Sequence, residues 1–232
     1  MASDNHSTRP ISVRIGNLQV QGFVNPTTEV ANYLGIKYAT IPARFRESQP
    51  IDPSDLYGVL DATRYGPRCP QPINGPRDTT AHLFQGVRRS SEYPLDEFEC
   101  LRLNIYTPST WNHESLPVVV WVHGGGFVFG DGNSEYDGNF LVSHSIKTGK
   151  PIIYVAMNYR LGYFGFLASK ELKTEAMKNG EAGFSNLGMF DQRVALLWVR
   201  CPPLPLKYTC WLMCVLSRFR NTFTILAATP QK

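Results

Sequence analysis

A histidine, three glycines and a phenylalanine, His123-Gly124-Gly125-Gly126-Phe127, follow directly on the apolar run Pro117-Val118-Val119-Val120-Trp121-Val122. Glycines lack a Cβ, so such a run brings the backbone close to a ligand with its N–H groups unshielded. In acyl transfer, N–H groups presented this way stabilise the oxygen of a tetrahedral intermediate, and losing one typically costs about 3–4 kcal/mol. The pattern therefore points to an oxyanion hole. The same chemistry needs a nucleophile, a base to take its proton and an acid to orient the base. No serine of the chain lies in G-x-S-x-G: Gly183-Phe184-Ser185-Asn186-Leu187 and Gly132-Asn133-Ser134-Glu135-Tyr136 both lack the last glycine.

Other chemistries find less support. His6, His82, His113 and His144 show no ligand spacing and the five cysteines form no CxxC pair, so neither a metal nor a cofactor is expected. The glycine loop lacks the lysine and Ser/Thr of a phosphate-binding loop. Net charge is +4, but the basic residues are scattered, with Arg88-Arg89 the longest run, so no nucleic-acid partner is expected. Residues 1–10 read as a flexible N-terminus with neither a basic nor an apolar signal region, which makes the cytoplasm the default location. The sequon Asn5-His6-Ser7 means little without such a signal. No run approaches the roughly 18 apolar residues of a membrane span.

The elements around the loop read as α/β. With 232 residues, 43% of them hydrophobic, a full core is within reach. Ile11, Val13 and Ile15, then Leu18, Val20 and Phe23, alternate on either side of Gly16-Asn17, which is a hairpin signal. VANYLGIKYA predicts another strand, prolines 42, 50 and 53 an irregular stretch, and Tyr65 to Pro94 a long surface loop. LRLNIYT, Pro117 to Val122 and Pro151 to Asn158 predict three further strands. The last two are apolar almost throughout, as parallel strands covered on both faces are. SEYDGNFLVSHSIKTGK between them predicts a crossover helix and hence a βαβ unit, and Met189 to Trp198 a helix preceded by Asn186-Leu187-Gly188.

Six segments, in order, carry a family resemblance: GIKYATIPARF, YGPRCPQ ending at Gln71, FECLRLNIYTP, PVVVWVHGGGFVFGDG, NYRLGYFGFLA from Asn158 and NLGMFDQRVALLWV. Together they resemble the N-terminal part of the type-B carboxylesterases and lipases, the cholinesterase-like branch of the α/β-hydrolases. The hormone-sensitive-lipase-like branch also has an HGGG loop, but usually follows it with D-Y-R-L-A-P-E where this chain has Asn158-Tyr159-Arg160-Leu161-Gly162-Tyr163. The resemblance implies an incomplete α/β-hydrolase fold, with N-terminal antiparallel strands leading into a βαβ portion of the central sheet, over residues 11–200. Residues 201–232, with three cysteines and no acidic residue, resemble nothing in the family. They are read as a divergent tail, arising from truncation, mis-splicing or a gene model that leaves the reading frame.

The resemblance also implies roles. Gly125 and Gly126 would donate to the oxyanion, with His123, Gly124 and Phe127 shaping the loop. His123 would not be the base, which the family places far downstream. Cys69 and Cys100 match an early disulfide whose closed loop would contribute about 3–4 kcal/mol; the alternative is two reduced thiols. Arg44 would pair with an acid before the second cysteine, either Glu97 or Glu99, and Asp191 and Arg193 would make structural polar contacts. The function so implied is hydrolysis of small-molecule carboxylic esters through a serine acyl-enzyme, in a chain that lacks the triad and is inactive by itself. The alternative is a non-catalytic, cholinesterase-like binding protein.

Overall fold

The computed structural model describes residues 8–52, 55–72, 93–110, 116–181 and 183–200, and the backbone of 213–214. The alternation near the start forms β1 (Arg9–Ile15) and β2 (Asn17–Val24), paired antiparallel from Arg9 opposite Val24 to Ile15 opposite Leu18. β1 begins inside the segment expected to be a flexible terminus. Strand β3 (Val30–Lys37) continues the sheet, and β4 (Ala39–Thr40) pairs with β5 (Gln49–Pro50). The stretch expected to be irregular contains β6 (Tyr57–Asp61), parallel to β2. A largely exposed five-residue strand leaves little apolar signal to read.

Next come β7 (Arg102–Pro108), β8 (Val118–Val122), the helix α1 (Asn139–Lys147) and β9 (Ile153–Met157). β8 and β9 are parallel, from Val118 opposite Ile153 to Val122 opposite Met157, with α1 between them in sequence, as the βαβ expectation required. Helices α2 (Gly162–Phe166) and α3 (Lys170–Lys178) follow, neither of them expected from periodicity. Ser169 caps α3, its Oγ accepting from Leu172 N at 3.2 Å. The last helix, α4 (Leu187–Arg200), starts two residues before the expected Met189. Asn186 turns the chain at φ 54°, and its carbonyl accepts from Met189 N and Phe190 N at 2.9 and 3.1 Å. In the tail, Met213–Cys214 form β10, parallel to β8; the rest of 201–232 lies outside the described residues, as do Asn5, His6, His82, His113 and most of the expected surface loop.

The main sheet runs β1-β2-β3-β7-β9-β8-β10, with β6 on β2. Alternate residues of the parallel pair supply two cores. Val118, Val120, Ile153, Val155 and Met157 join Val194 and Ala195 of α4 on one face. Tyr154 and Ala156 join Val142 of α1, Tyr106 and Leu34 on the other. Each such aliphatic burial stabilises by about 1.5–3 kcal/mol. Buried on both faces, β8 is fixed in register, and the residues that leave its carboxyl end leave from a rigid point.

Candidate active site

β8 ends at Val122, and His123 is the first residue beyond it, 2% exposed. From there the chain closes on itself. Gly125 O accepts from Val128 N at 3.1 Å and from Phe129 N at 3.3 Å. Gly125 lies at φ 120°, and a Cβ on it would fall 1.9 Å from Phe129 O. Gly130, at φ 125°, closes the loop: a Cβ there would fall 2.2 Å from His123 Nδ1 and 2.5 Å from Gly124 O. Both positions therefore require glycine for conformation and for space.

Three sets of contacts hold this loop. At its start, the His123 ring lies flat on Tyr159, with centroids 4.4 Å apart and planes at 17°, and Tyr159 Oη donates to His123 O at 2.9 Å. Burial pushes the Tyr159 phenol up, so it stays neutral and keeps that donor. In the middle, Gly162 N at the start of α2 donates to Phe127 O at 2.7 Å, and the Phe127 ring packs on Phe166 at 4.8 Å. At its end, Gln71 bonds both the N–H and the C=O of Gly130, and Asn158 Oδ1 accepts from Gly132 N at 2.7 Å.

What the contacts leave over is the informative part. Among the described residues, the N–H groups of Gly124, Gly125, Gly126 and Phe127 donate to no protein acceptor. Gly124 and Gly126 are exposed. Phe127 sits at φ 64°, next to Gly126 at φ 62°. A non-glycine residue in that region costs roughly 1–3 kcal/mol and persists only where its surroundings impose it, which the Gly162 and Phe166 contacts do. The result is a turn whose consecutive N–H groups meet no acceptor among the described residues, at the carboxyl end of a buried parallel strand, where α/β sheets place ligands. An open hollow lined by Glu29, Pro108, Ser143 and Lys147 lies at the opposite ends of these strands and contains none of the loop.

Asp191 and Arg44 are both engaged in ion pairs. Asp191 Oδ2 accepts from Arg160 Nε at 2.8 Å and Oδ1 from Nη2 at 2.8 Å, with side chains 0% and 1% exposed. Burial opposes charge on Arg160, but the bonds to Asp191 outweigh it and leave the guanidinium more basic than usual. Arg44 resolves the choice left open by the sequence: it forks onto Glu97, Nε and Nη2 reaching the carboxylate at 2.8 and 2.7 Å, while Glu99 pairs with Lys37 and Arg102.

Of the two alternatives for the cysteines, the structure carries the reduced one: Cys69 and Cys100 are adjacent free thiols, 1% and 0% exposed, with Cys69 Sγ 4.0 Å from Cys100 O. Burial first, then the neighbouring Cys100, pushes the Cys69 thiol well above its usual range, so it is held as SH.

A protein-family model for the carboxylesterase family matches residues 9–201. The chain belongs to the carboxylesterase family. It is 39% identical over 183 residues to the para-nitrobenzyl esterase of Bacillus subtilis, covering 77% of this chain and 33% of that protein. It is 36% identical over 196 residues to the acetylcholinesterase of Electrophorus electricus, covering 82% of this chain and 28% of the relative. Among solved structures, a thermophilic para-nitrobenzyl esterase superposes with a TM-score of 0.62 at 36% identity, over 82% of this chain and 34% of that one. The fold is thus a portion of the α/β-hydrolase fold. The chain spans about a third of the length of the relatives it matches.

The structure gathers His123, Gly124, Gly125, Gly126 and Phe127 on one loop. It places Cys69 beneath that loop's far end, where Cys69 O accepts from Gln71 Nε2 at 3.1 Å. Gln71, Asn158 and Tyr159 lie in segments that carried the resemblance, but the sequence assigned them no role. Their signal was a polar side chain at the end of, or just after, an apolar or proline-rich run, which by itself does not say which carbonyl it meets.

Proposed function

We propose that this chain supplies the oxyanion-binding half of a carboxylic ester hydrolase site, acting on small-molecule esters, and that it does not turn esters over by itself. The observation that carries this reading is the set of N–H groups at Gly124 to Phe127 without a protein acceptor among the described residues. The carbonyl oxygen of a bound ester sits against Gly125 N and Gly126 N. As a nucleophile adds to the carbonyl carbon, charge grows on that oxygen, and fixed N–H dipoles stabilise the transition state more than the ground state. No reorganisation is needed during reaction, because Tyr159, Gly162 and Gln71 already fix the loop.

His123 is a support rather than a base. Its Nδ1 donates to Gly124 O at 2.9 Å and its ring is stacked on Tyr159, so it neither faces an attacking group nor moves freely. Among the described residues Asp191 bonds Arg160 and no histidine. With no G-x-S-x-G serine in the sequence, the acyl-enzyme step has no attacking oxygen here. The test is p-nitrophenyl butyrate hydrolysis by the purified chain, expected at the buffer rate. Turnover above that rate that persists in Gly126→Pro contradicts the reading.

A further inference from the structure

Among the described residues, Gln71 is the one side chain that bonds both backbone groups of a residue in the loop. Its Oε1 accepts from Gly130 N at 2.8 Å and its Nε2 donates to Gly130 O at 2.9 Å. A third bond, Nε2 to Cys69 O at 3.1 Å, ties the carboxamide to its own backbone. Turning the amide over would set donor against donor and acceptor against acceptor, so its orientation is determined by its partners. Among the described residues no other group bonds Gly130 N or Gly130 O. Gly130 in turn is the residue packed onto His123 Nδ1 and Gly124 O, so that a methyl group there has no room.

The geometry points to Gln71 as a positioning residue for the oxyanion donors. Its carboxamide presses Gly130, the far end of the loop, against His123 and Gly124, the near end. That contact fixes the span in which Gly125 N and Gly126 N must point. Tyr159 and Gly162 anchor the loop's start and middle, but neither reaches its far end; Asn158 takes hold only at Gly132, two residues later. The consequence for catalysis rests on the function proposed above, whereas the clamp itself is a statement about loop geometry.

Amide NMR of the ¹⁵N-labelled full chain tests it. Gln71→Met keeps the side-chain length and removes both bonds. It is expected to shift the Gly125 and Gly126 amide resonances, and to speed solvent exchange of the Gly130 amide, whose acceptor it removes, about tenfold, the worth of roughly one hydrogen bond. Amides of β3 and β9 should stay as in the parent chain, and Gln21→Met on the exposed side of β2 should move no loop resonance.

Gln71→Glu supplies the second arm. Ionised near neutral pH, it accepts from Gly130 N but repels Gly130 O; protonated near about pH 4, its one O–H donates again to Gly130 O and restores both bonds to Gly130, though not the one to Cys69 O. A change caused by side-chain packing alone, without the bonds to Gly130, would show no such recovery with pH. Unmoved Gly125 and Gly126 resonances in Gln71→Met overturn the inference, as does Gln71→Glu without recovery on acidification; the second variant decides if the first does not fold. Because the readout is amide geometry rather than ester turnover, failure here leaves the assignment of Gly125 and Gly126 as donors standing.

Discussion

Arg160 and Asp191 form a fully buried, two-pronged ion pair, with both N–H···O contacts at 2.8 Å and neither side chain more than 1% exposed. Arg160 N adds a third bond to Asp191 Oδ2 at 3.1 Å, and Arg160 Nη1 reaches Arg46 O at 2.7 Å. The pair fastens α4 to the segment that follows β9, the segment that carries Tyr159 and Gly162 to the loop. Removing one partner leaves the other charge buried and alone, which typically costs about 3–5 kcal/mol. Asp191→Ala is accordingly expected to lower stability in urea by that much or to prevent folding. A loss below about 1 kcal/mol would show the pair to be dispensable.

The glycines of the loop are expected to differ in kind. Gly130→Ala places a methyl group 2.2 Å from His123 Nδ1 at φ 125° and should destabilise by more than about 1 kcal/mol. Gly124→Ala meets open space, with no positive φ, and should stay within about 0.5 kcal/mol. Denaturation of both variants in urea measures the contrast, and equal costs would refute the close packing of Gly130.

Cys69 and Cys100 should resist alkylation while the chain is folded. Both are buried, and Cys69 is held as the protonated, unreactive thiol. Iodoacetamide labelling followed by peptide mass mapping should show modification at these two positions only as the fold opens in denaturant. Rapid labelling of either in the native chain contradicts their placement.

Alkali should weaken the fold in a defined window. Burial pushes the Tyr33 phenol from 10.0 to about 12, and raises Tyr38 and Tyr106 as well. Tyr106 is raised by burial first and by its neighbour Tyr65 second. In each case the folded state favours the neutral phenol more than the unfolded chain does. The stability this supplies is fully present below pH 10.0 and is lost as pH rises from there through the folded values, that of Tyr33 lying at about 12. Tyrosinate absorbance followed during an alkaline titration should therefore lag behind that of the urea-unfolded chain. Coincident titration curves would contradict the burial of these rings.

Much of this arrangement was legible in the sequence. The βαβ unit could be read because β8 and β9 are apolar on both faces, and the loop because three glycines in a row have few other uses. The residues that hold the loop could not. Gln71 lies 59 positions from Gly130, and Tyr159 lies 36 from His123. A single hydrogen bond between such distant residues leaves no local pattern. β6 escaped for another reason: mostly exposed, it draws its pairing from β2 and not from its own composition. The sequence left Cys69 and Cys100 open between a disulfide and two thiols, because adjacency of two cysteines in space does not fix their oxidation state.

The central claim, that Gly125 N and Gly126 N are oxyanion donors, is tested most directly by moving residues 118–133 into the Bacillus subtilis para-nitrobenzyl esterase, the 39% identical relative, in place of its corresponding segment. The kcat for a p-nitrobenzyl ester is then measured with and without Gly126→Pro. The exchanged enzyme should remain active, and Gly126→Pro in it should lower kcat by about 10²–10³ with KM little changed. An exchanged enzyme that keeps its full kcat with Gly126→Pro would contradict the account.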